Sequence, residues 1–407
     1  MKRMAVACLT FVCVWQGWAT VPDISGVELK QEGNKVFVSY WLKNAPAVVT
    51  VDFQTNATDE VWASIGAENF QTLSGDVNCR VEESSSAKRV LVWKPRNDWP
   101  GRKIAAGEFK AVVKAHAVTC PPTWMTIELA TGAVRYFDSM AAVPEGIAGS
   151  RYRRSHVLLR KIPAACESFF MGRSPYEMNV SSTTDETPHE VSFTRDWYMA
   201  VFETTQGQYE AVMGSNPSAH WDGTGCCPVE NVKYTDLRGS SNADWPTDRQ
   251  ASGESFFGIL QGRTHMAVDL PTEAQWEYSC RAGTTTGLNN GCDLSADGGA
   301  GASIPELADV AWSSSNTDAT HPVGMLTPNA WNLYDMHGNV QEFCLDWYGA
   351  YAGDEVDPVG PASGEGRVAR GGSYQWFANN LRSAKRASVT GYAKNLGFRI
   401  CAEAVAR

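Results

Sequence analysis

The side chains best suited to redox or metal chemistry, thiols and imidazoles, are spaced for neither a zinc site nor a dithiol. The eleven cysteines contain no C-x-x-C. The seven histidines lack the H-x-x-x-H interval that brings two imidazoles to one helix face. The one vicinal pair, Cys226-Cys227, reads most simply as two loop cysteines, each bonded elsewhere or one left free. A different chemistry gathers between Ser373 and Asn395, where aromatic, amide and basic residues alternate. Rigid aromatics beside amides and guanidinium groups give contact area and hydrogen bonds at low entropic cost, which is the composition of a recognition surface. The candidate ligand contacts are Ser373, Tyr374, Gln375, Trp376, Phe377, Asn379, Asn380, Arg382 and Arg386. The two guanidinium forks suit a carboxylate or another anion. A plainer reading stands beside this one: Trp376 and Phe377 are partly core, and Arg386 anchors the loop through a buried carboxylate.

The elements that must position this stretch differ between the two halves of the chain. Residues 21–118 alternate polar and apolar with period two, as in Lys35 to Leu42, where Val36, Val38, Tyr40 and Leu42 share one face. Glu32-Gly33-Asn34 turns the chain back from Val27-Leu29 into that strand. Further strands are expected at Val48 to Phe53, Val77 to Val81, Arg89 to Trp93 and Phe109 to Val118, which together suit a small immunoglobulin- or fibronectin-like sandwich. Residues 119–155, with Pro121, Pro122 and Pro144, read as a linker with extra strands near Met125 to Leu129 and Ala133 to Phe137. From residue 156 to 407 short helices are separated by Gly- and Asn-rich irregular segments. One helix follows the capping box Thr272 to Gln275 and places Trp276 and Cys280 on one face, with Gly283 available to end it. Another follows Thr205, with Tyr209, Val212 and Met213 as its apolar stripe before Gly214.

Seven segments in order then carry a family resemblance: Phe170-Met171-Gly172; Asp185 to His189; Phe202 to Thr205 with Tyr209; Leu270 to Tyr278; Asn329 to Phe343; Arg370 to Tyr374; and Gly397-Phe398-Arg399. Together they resemble the formylglycine-generating enzyme, or sulfatase-modifying factor, family. The resemblance implies a loop-rich C-type-lectin-like domain, hence an α+β chain with an all-β sandwich ahead of it. In active members a cysteine pair shortly after Gly-Gly-Ser-Tyr binds copper and, with oxygen, converts a sulfatase cysteine to formylglycine. Thiolates suit that role because they bind soft Cu(I) and supply redox-active sulfur. Here the segment from Tyr374 to Arg382 has no cysteine, and Cys401 lies beyond Gly397-Phe398-Arg399. Gln341 stands where the family usually has Trp. The resemblance also implies a structural calcium held by the Asp335 and Glu342 carboxylates and the Gly338 and Val340 carbonyls, all hard oxygen donors. It implies a disulfide from the helix bearing Cys280 to the end of the domain, where Cys401 sits one residue late. That shift reverses the side chain unless a bulge intervenes.

A net charge of −10 and the absence of basic runs exclude a phosphate-binding surface, so no nucleic acid partner is expected. Residues 1–20 read as a signal peptide: Lys2 and Arg3, an apolar stretch, then Gly17-Trp18-Ala19. No later segment supplies the roughly 20 apolar residues of a transmembrane helix. The chain is therefore expected to be exported (secreted, periplasmic or at the cell surface), with some of its remaining nine cysteines in disulfides. Three functions compete: a non-catalytic module binding a protein, peptide or glycan; a formylglycine-generating oxidase or related oxygenase using other ligands; and a retroelement-diversified variable receptor. The last arises because the tail from Arg367 also resembles the hypervariable segment of such proteins.

Overall fold

The computed structural model describes residues 21–56, 61–102, 107–174, 177, 184–239, 245–246, 250–294 and 304–403. The signal-peptide expectation falls on residues 1–20 and so lies outside them. The N-terminal part follows its alternation closely. Strands Asp23–Glu32 and Lys35–Lys43 pair antiparallel, with Glu32 opposite Lys35 across the Gly33-Asn34 turn. Arg89–Trp93 and Ser74–Gly75 complete that four-stranded sheet. A second antiparallel sheet is built on Ala47–Asn56, which pairs with Phe109–Ala117, Trp62–Ser64 and Arg80–Val81. The predicted face of Lys35–Lys43 is the buried one: Val36, Val38, Tyr40 and Leu42 all lie in the core with Phe53, Leu91 and Trp93. Phe53 stacks on Trp93 at 4.6 Å between ring centroids.

Trp124–Glu128 and Val134–Phe137 form a hairpin that continues into a six-stranded sheet with His156–Ile162, Trp197–Ala200, Cys401–Glu403 and Val268–Asp269. Trp124, Phe137, Tyr152 and Phe202 share a hydrophobic cluster with the N-terminal sheets, so the two halves meet through apolar packing. A second, four-stranded sheet runs Arg386–Val389, Arg367–Arg370, Gln341–Trp347 and Leu396–Phe398. Ser168–Met171, His189–Ser192 and Glu355–Val356 make a third, small one. The chain is mostly β with few short helices, so the α component is smaller than an α+β label suggests.

Both anticipated helices form. Gln206–Met213 starts at Thr205, whose hydroxyl accepts from Gln208 N, and ends on left-handed Gly214. Glu273–Arg281 starts at the Thr272/Gln275 capping box, but Ala282 rather than Gly283 takes the left-handed cap. Trp276 is fully buried on its inner face, a burial that contributes about 2–3 kcal/mol by area.

The disulfide expectation is corrected. Among the described residues Cys79, Cys120, Cys226, Cys227, Cys280, Cys292, Cys344 and Cys401 are free thiols. Cys280 Sγ faces Met336 O, His337 and Ser383, whereas Cys401 Sγ lies by Gln275 Oε1. Cys401–Glu403 pairs with Trp197–Ala200 in unbroken register, so no bulge turns the late cysteine toward Cys280.

Candidate recognition loop

Strand Arg367–Arg370 delivers the chain to the candidate stretch through Gly371 and Gly372, at φ 87° and 70°. A Cβ on Gly372 would sit 2.6 Å from Asn380 O, so only glycine lets the loop fold back on itself. Beyond the turn the chain is tied down residue by residue. Asn395 Nδ2 donates to Ser373 Oγ at 2.9 Å, and Tyr374 N donates to Asn339 O at 3.0 Å. The Tyr374 hydroxyl meets His220 Nε2 at 2.8 Å and accepts from Gln375 Nε2 at 3.0 Å. Trp376 O accepts from Ser314 Oγ at 3.1 Å. A 3-10 turn, Ala378–Asn380, then buries Ala378 and Leu381 against Leu288, Leu307 and Val310.

The candidate residues separate into two groups. Gln375 and Phe377 are exposed, and Trp376, Asn379 and Asn380 are half-buried. Ser373 and Tyr374 are buried supports. Arg382 and Arg386 point inward, which corrects their reading as ligand contacts. Arg382 bonds Glu177 at 2.6 Å, Glu186 at 2.9 Å and Asn379 O at 2.9 Å. Arg386 holds Glu273 with two bonds, from Nε at 2.7 Å and from Nη2 at 2.5 Å. The plainer reading of the stretch therefore describes Arg386, and also Trp376, which packs on the Leu288 and Leu381 cluster, but not the exposed Phe377. Glu273 also meets Arg370, which bonds Glu277, itself paired with Arg281. Burial alone would raise the Glu277 carboxyl, but the Arg281 and Arg370 guanidinium groups outweigh it and hold the group below the usual carboxylate range.

Two further loops border the stretch. Trp312 stacks on His321 at 3.8 Å. Asn339 joins that loop to the core, accepting from His321 N at 3.0 Å and donating to Glu203 Oε2 at 2.7 Å. Trp221, next to His220, is 56% exposed and Phe377 42% exposed.

The thiols near this surface are poor candidates for redox or copper chemistry. Cys227 Sγ donates to Asp222 Oδ2 at 3.2 Å, and burial together with that carboxylate pushes its thiol well above the ordinary range. Burial pushes Cys280 up to about 12. Its neighbour His337 offers no base: Nε2 accepts from Asn289 N at 3.0 Å, so the proton on Nδ1 goes to Leu381 O. Burial lowers that imidazole to about 4. The residues present at the stretch, aromatics and amides without a thiolate, do not fit the copper site implied by the family.

For calcium the fit is partial. Asp335 Oδ1 is buried with no hydrogen-bond partner, a vacant hard donor, while Oδ2 accepts from Gly324 N at 2.7 Å. Glu342, by contrast, is committed to Arg399 at 2.7 Å and to Trp276 Nε1 at 2.7 Å. Glu203 fills the inner side of the turn, accepting from Val340 N at 3.0 Å. Among the described residues no group of three or more His, Cys, Asp and Glu side chains is placed to hold a metal ion. None of their helices is long and apolar enough to cross a membrane.

Sequence reasoning missed His220, His337, Glu177 and Glu186. His337, within the Asn329 to Phe343 segment, and Glu186, within Asp185 to His189, carried a signal. The others meet their partners across long sequence separations.

Loop-rich β architecture, a glycine turn at Gly371-Gly372 and buried Arg-carboxylate anchors define a scaffold of irregular loops held on a fixed frame. Residues 168–404 match the family described as sulfatase-modifying factor enzyme 1-like domain. The chain belongs to that family. It is 38% identical over 144 residues to the formylglycine-generating enzyme of Bos taurus, covering 33% of this chain and 38% of that protein. The enzyme of Streptomyces coelicolor is 38% identical over 146 residues, covering 33% and 46%. Serine/threonine-protein kinase pkn1 of Chlamydia caviae is 36% identical over 160 residues, covering 38% and 24%. In each case the chain spans less than half of the relative's length. Among solved structures, Treponema denticola variable protein 1 overlays with a TM-score of 0.49 at 26% identity, covering 61% of this chain and 95% of its own. PvdO from Pseudomonas aeruginosa gives 0.48 at 23%, covering 61% and 94%.

Proposed function

We propose that this protein is an exported, non-catalytic member of its family that holds a protein, peptide or glycan ligand on the stretch from Gln375 to Asn380. One observation carries the reading: the segment after Gly371-Gly372 exposes Gln375 and Phe377 and leaves one side of half-buried Trp376 accessible, while its arginines are spent on buried carboxylates. Aromatic faces and amides held on a rigid base lose little entropy on binding. The N-terminal sheets would act as an immunoglobulin-like spacer.

A structural calcium belongs to the same reading. Asp335 Oδ1, which has no protein partner, would supply the carboxylate, with the Gly338 and Val340 carbonyls beside it. Glu342 would serve only by sharing its carboxylate with Arg399. Such an ion would neutralise buried negative charge.

The test applies the full chain to peptide and glycan arrays, with Trp376→Ala and Phe377→Ala in parallel. Binders whose affinity falls at least about tenfold in either variant support the surface. Binders indifferent to both would move the ligand site elsewhere, and the absence of any binder would sink the reading.

A further inference from the structure

We propose that the cleft between the N-terminal sheets and the hairpin Trp124–Glu128/Val134–Phe137 binds a monocarboxylate ligand, with Arg135 as the residue that takes its charge. This cleft, open on one side to solvent, has a volume of about 540 Å³. One wall is the Ala47–Asn56 and Phe109–Ala117 sheet, the other the strand bearing Arg135 and the residues that follow it.

Arg135, half-buried at the cleft, differs from the arginines that anchor the C-terminal domain. Arg238, Arg281, Arg370, Arg382, Arg386 and Arg399 each meet a carboxylate. Arg135 donates only to the Ala67 carbonyl, at 3.1 Å, and among the described residues no carboxylate oxygen comes within 4.0 Å of it. Its guanidinium lies between the Phe70 and Phe137 rings, 5.3 Å from each centroid. The rings hold the cation in place but do not neutralise it. Burial lowers its pKa to about 10, outweighing the opposite pull of Tyr152 and of the more distant Asp98 and Glu68 carboxylates. A guanidinium that faces a cleft with no carboxylate in direct ion-pair contact keeps its donor fork open to an arriving anion.

The other charges in the cleft set the ligand's class. Lys114 is already paired with Asp138 at 2.7 Å. Asp52, held by Ser64 at 2.5 Å, and Glu68 add negative charge to the lining. A polyanion such as phosphate would be repelled by these two, whereas a single carboxylate can form a fork with Arg135. Phe70, Tyr136, Phe137 and Val143 suit an apolar body behind it.

The experiment is calorimetric titration of the full chain with benzoate, benzamide, inorganic phosphate, and a short apolar peptide bearing a free or an amidated C-terminus. Benzoate or the free-acid peptide is expected to bind at about millimolar affinity or better, with the amides and phosphate at least about tenfold weaker. Preference for the peptide assigns the carboxylate to a chain terminus, and preference for benzoate to a free small acid. Arg135→Gln should weaken binding at least about tenfold. Ala142→Trp, which adds bulk to the cleft lining, should do the same and stands in if Arg135→Gln fails to fold. Carboxylates binding no better than their amides, or a folded Arg135→Gln that binds as the parent does, would overturn the assignment.

Discussion

Replacing Arg382 with Met separates an anchor from a ligand contact. In the structure its guanidinium closes on Glu177 and Glu186, whose side chains are 2% and 0% exposed. Methionine keeps most of the volume but leaves two buried carboxylates without their cation. Removing one partner of a buried pair costs about 3–5 kcal/mol. Lys385 remains 3.7 Å from Glu186, so the lower end, about 3 kcal/mol, is the fair expectation. For a domain of this size each kcal/mol moves the midpoint by about 2–4 °C, so the melting transition should fall by about 6–12 °C. Circular dichroism melts of parent and variant measure this directly. Adding Glu177→Gln to Arg382→Met removes one stranded charge and should return part of the loss. A variant that melts within about 1 °C of the parent would refute the anchoring argument, because an exposed contact residue changes stability by only about 0.5 kcal/mol.

Three other outcomes follow from the same packing. Gly338 has φ 87°, and a Cβ there would lie 1.9 Å from Trp312 O, so Gly338→Ala should cost at least about 2 kcal/mol by urea unfolding. Burial, reinforced by Glu273, raises the Asp346 carboxyl to about 8, against about 3.9 when unfolded. The folded state then keeps a proton that the unfolded state has released, so this contribution to stability is full below about pH 4 and is lost as pH rises through 8. Asp346→Asn mimics the protonated form, and its urea midpoint should gain on the parent's between pH 5 and 8; a constant difference would contradict the assignment. Cys280, Cys344 and Cys401 are buried with raised thiol pKa values. They should resist iodoacetamide in the native protein and react once it is unfolded, as mass spectrometry of the alkylated peptides would show.

The N-terminal hairpin was legible because period-two alternation and a Gly-Asn turn are local signals that the buried face of Lys35–Lys43 bears out. Short strands such as Trp62–Ser64 and Ser74–Gly75 were not, since two or three residues carry no period. Capping chemistry placed the helices after Thr205 and Thr272. Phe256–Thr264, capped by Ser255, went unread although Phe256, Leu260 and Thr264 fall on one face, because Gly258 and Gly262 weaken its local helix signal. At the loop, the composition of Ser373 to Asn395 showed a surface rich in contacts but not which way each side chain points. Arg382 turns inward because of Glu177 and Glu186, about two hundred residues earlier, and no local pattern encodes that pairing. The same holds for Cys280 and Cys401, whose relative direction is set by strand register across the domain.

The most direct test of a binding role without the family's thiol chemistry is to incubate the purified full chain with copper, a thiol reductant and a sulfatase-type cysteine peptide, following oxygen uptake and peptide mass together. With no thiol in the Tyr374 to Arg382 segment and with Cys227 and Cys280 held protonated, the peptide should keep its cysteine mass and uptake should stay at the level without peptide. Peptide-dependent uptake with conversion to the aldehyde mass would contradict the account and make Cys226, Cys227 and Cys280 the first residues to replace.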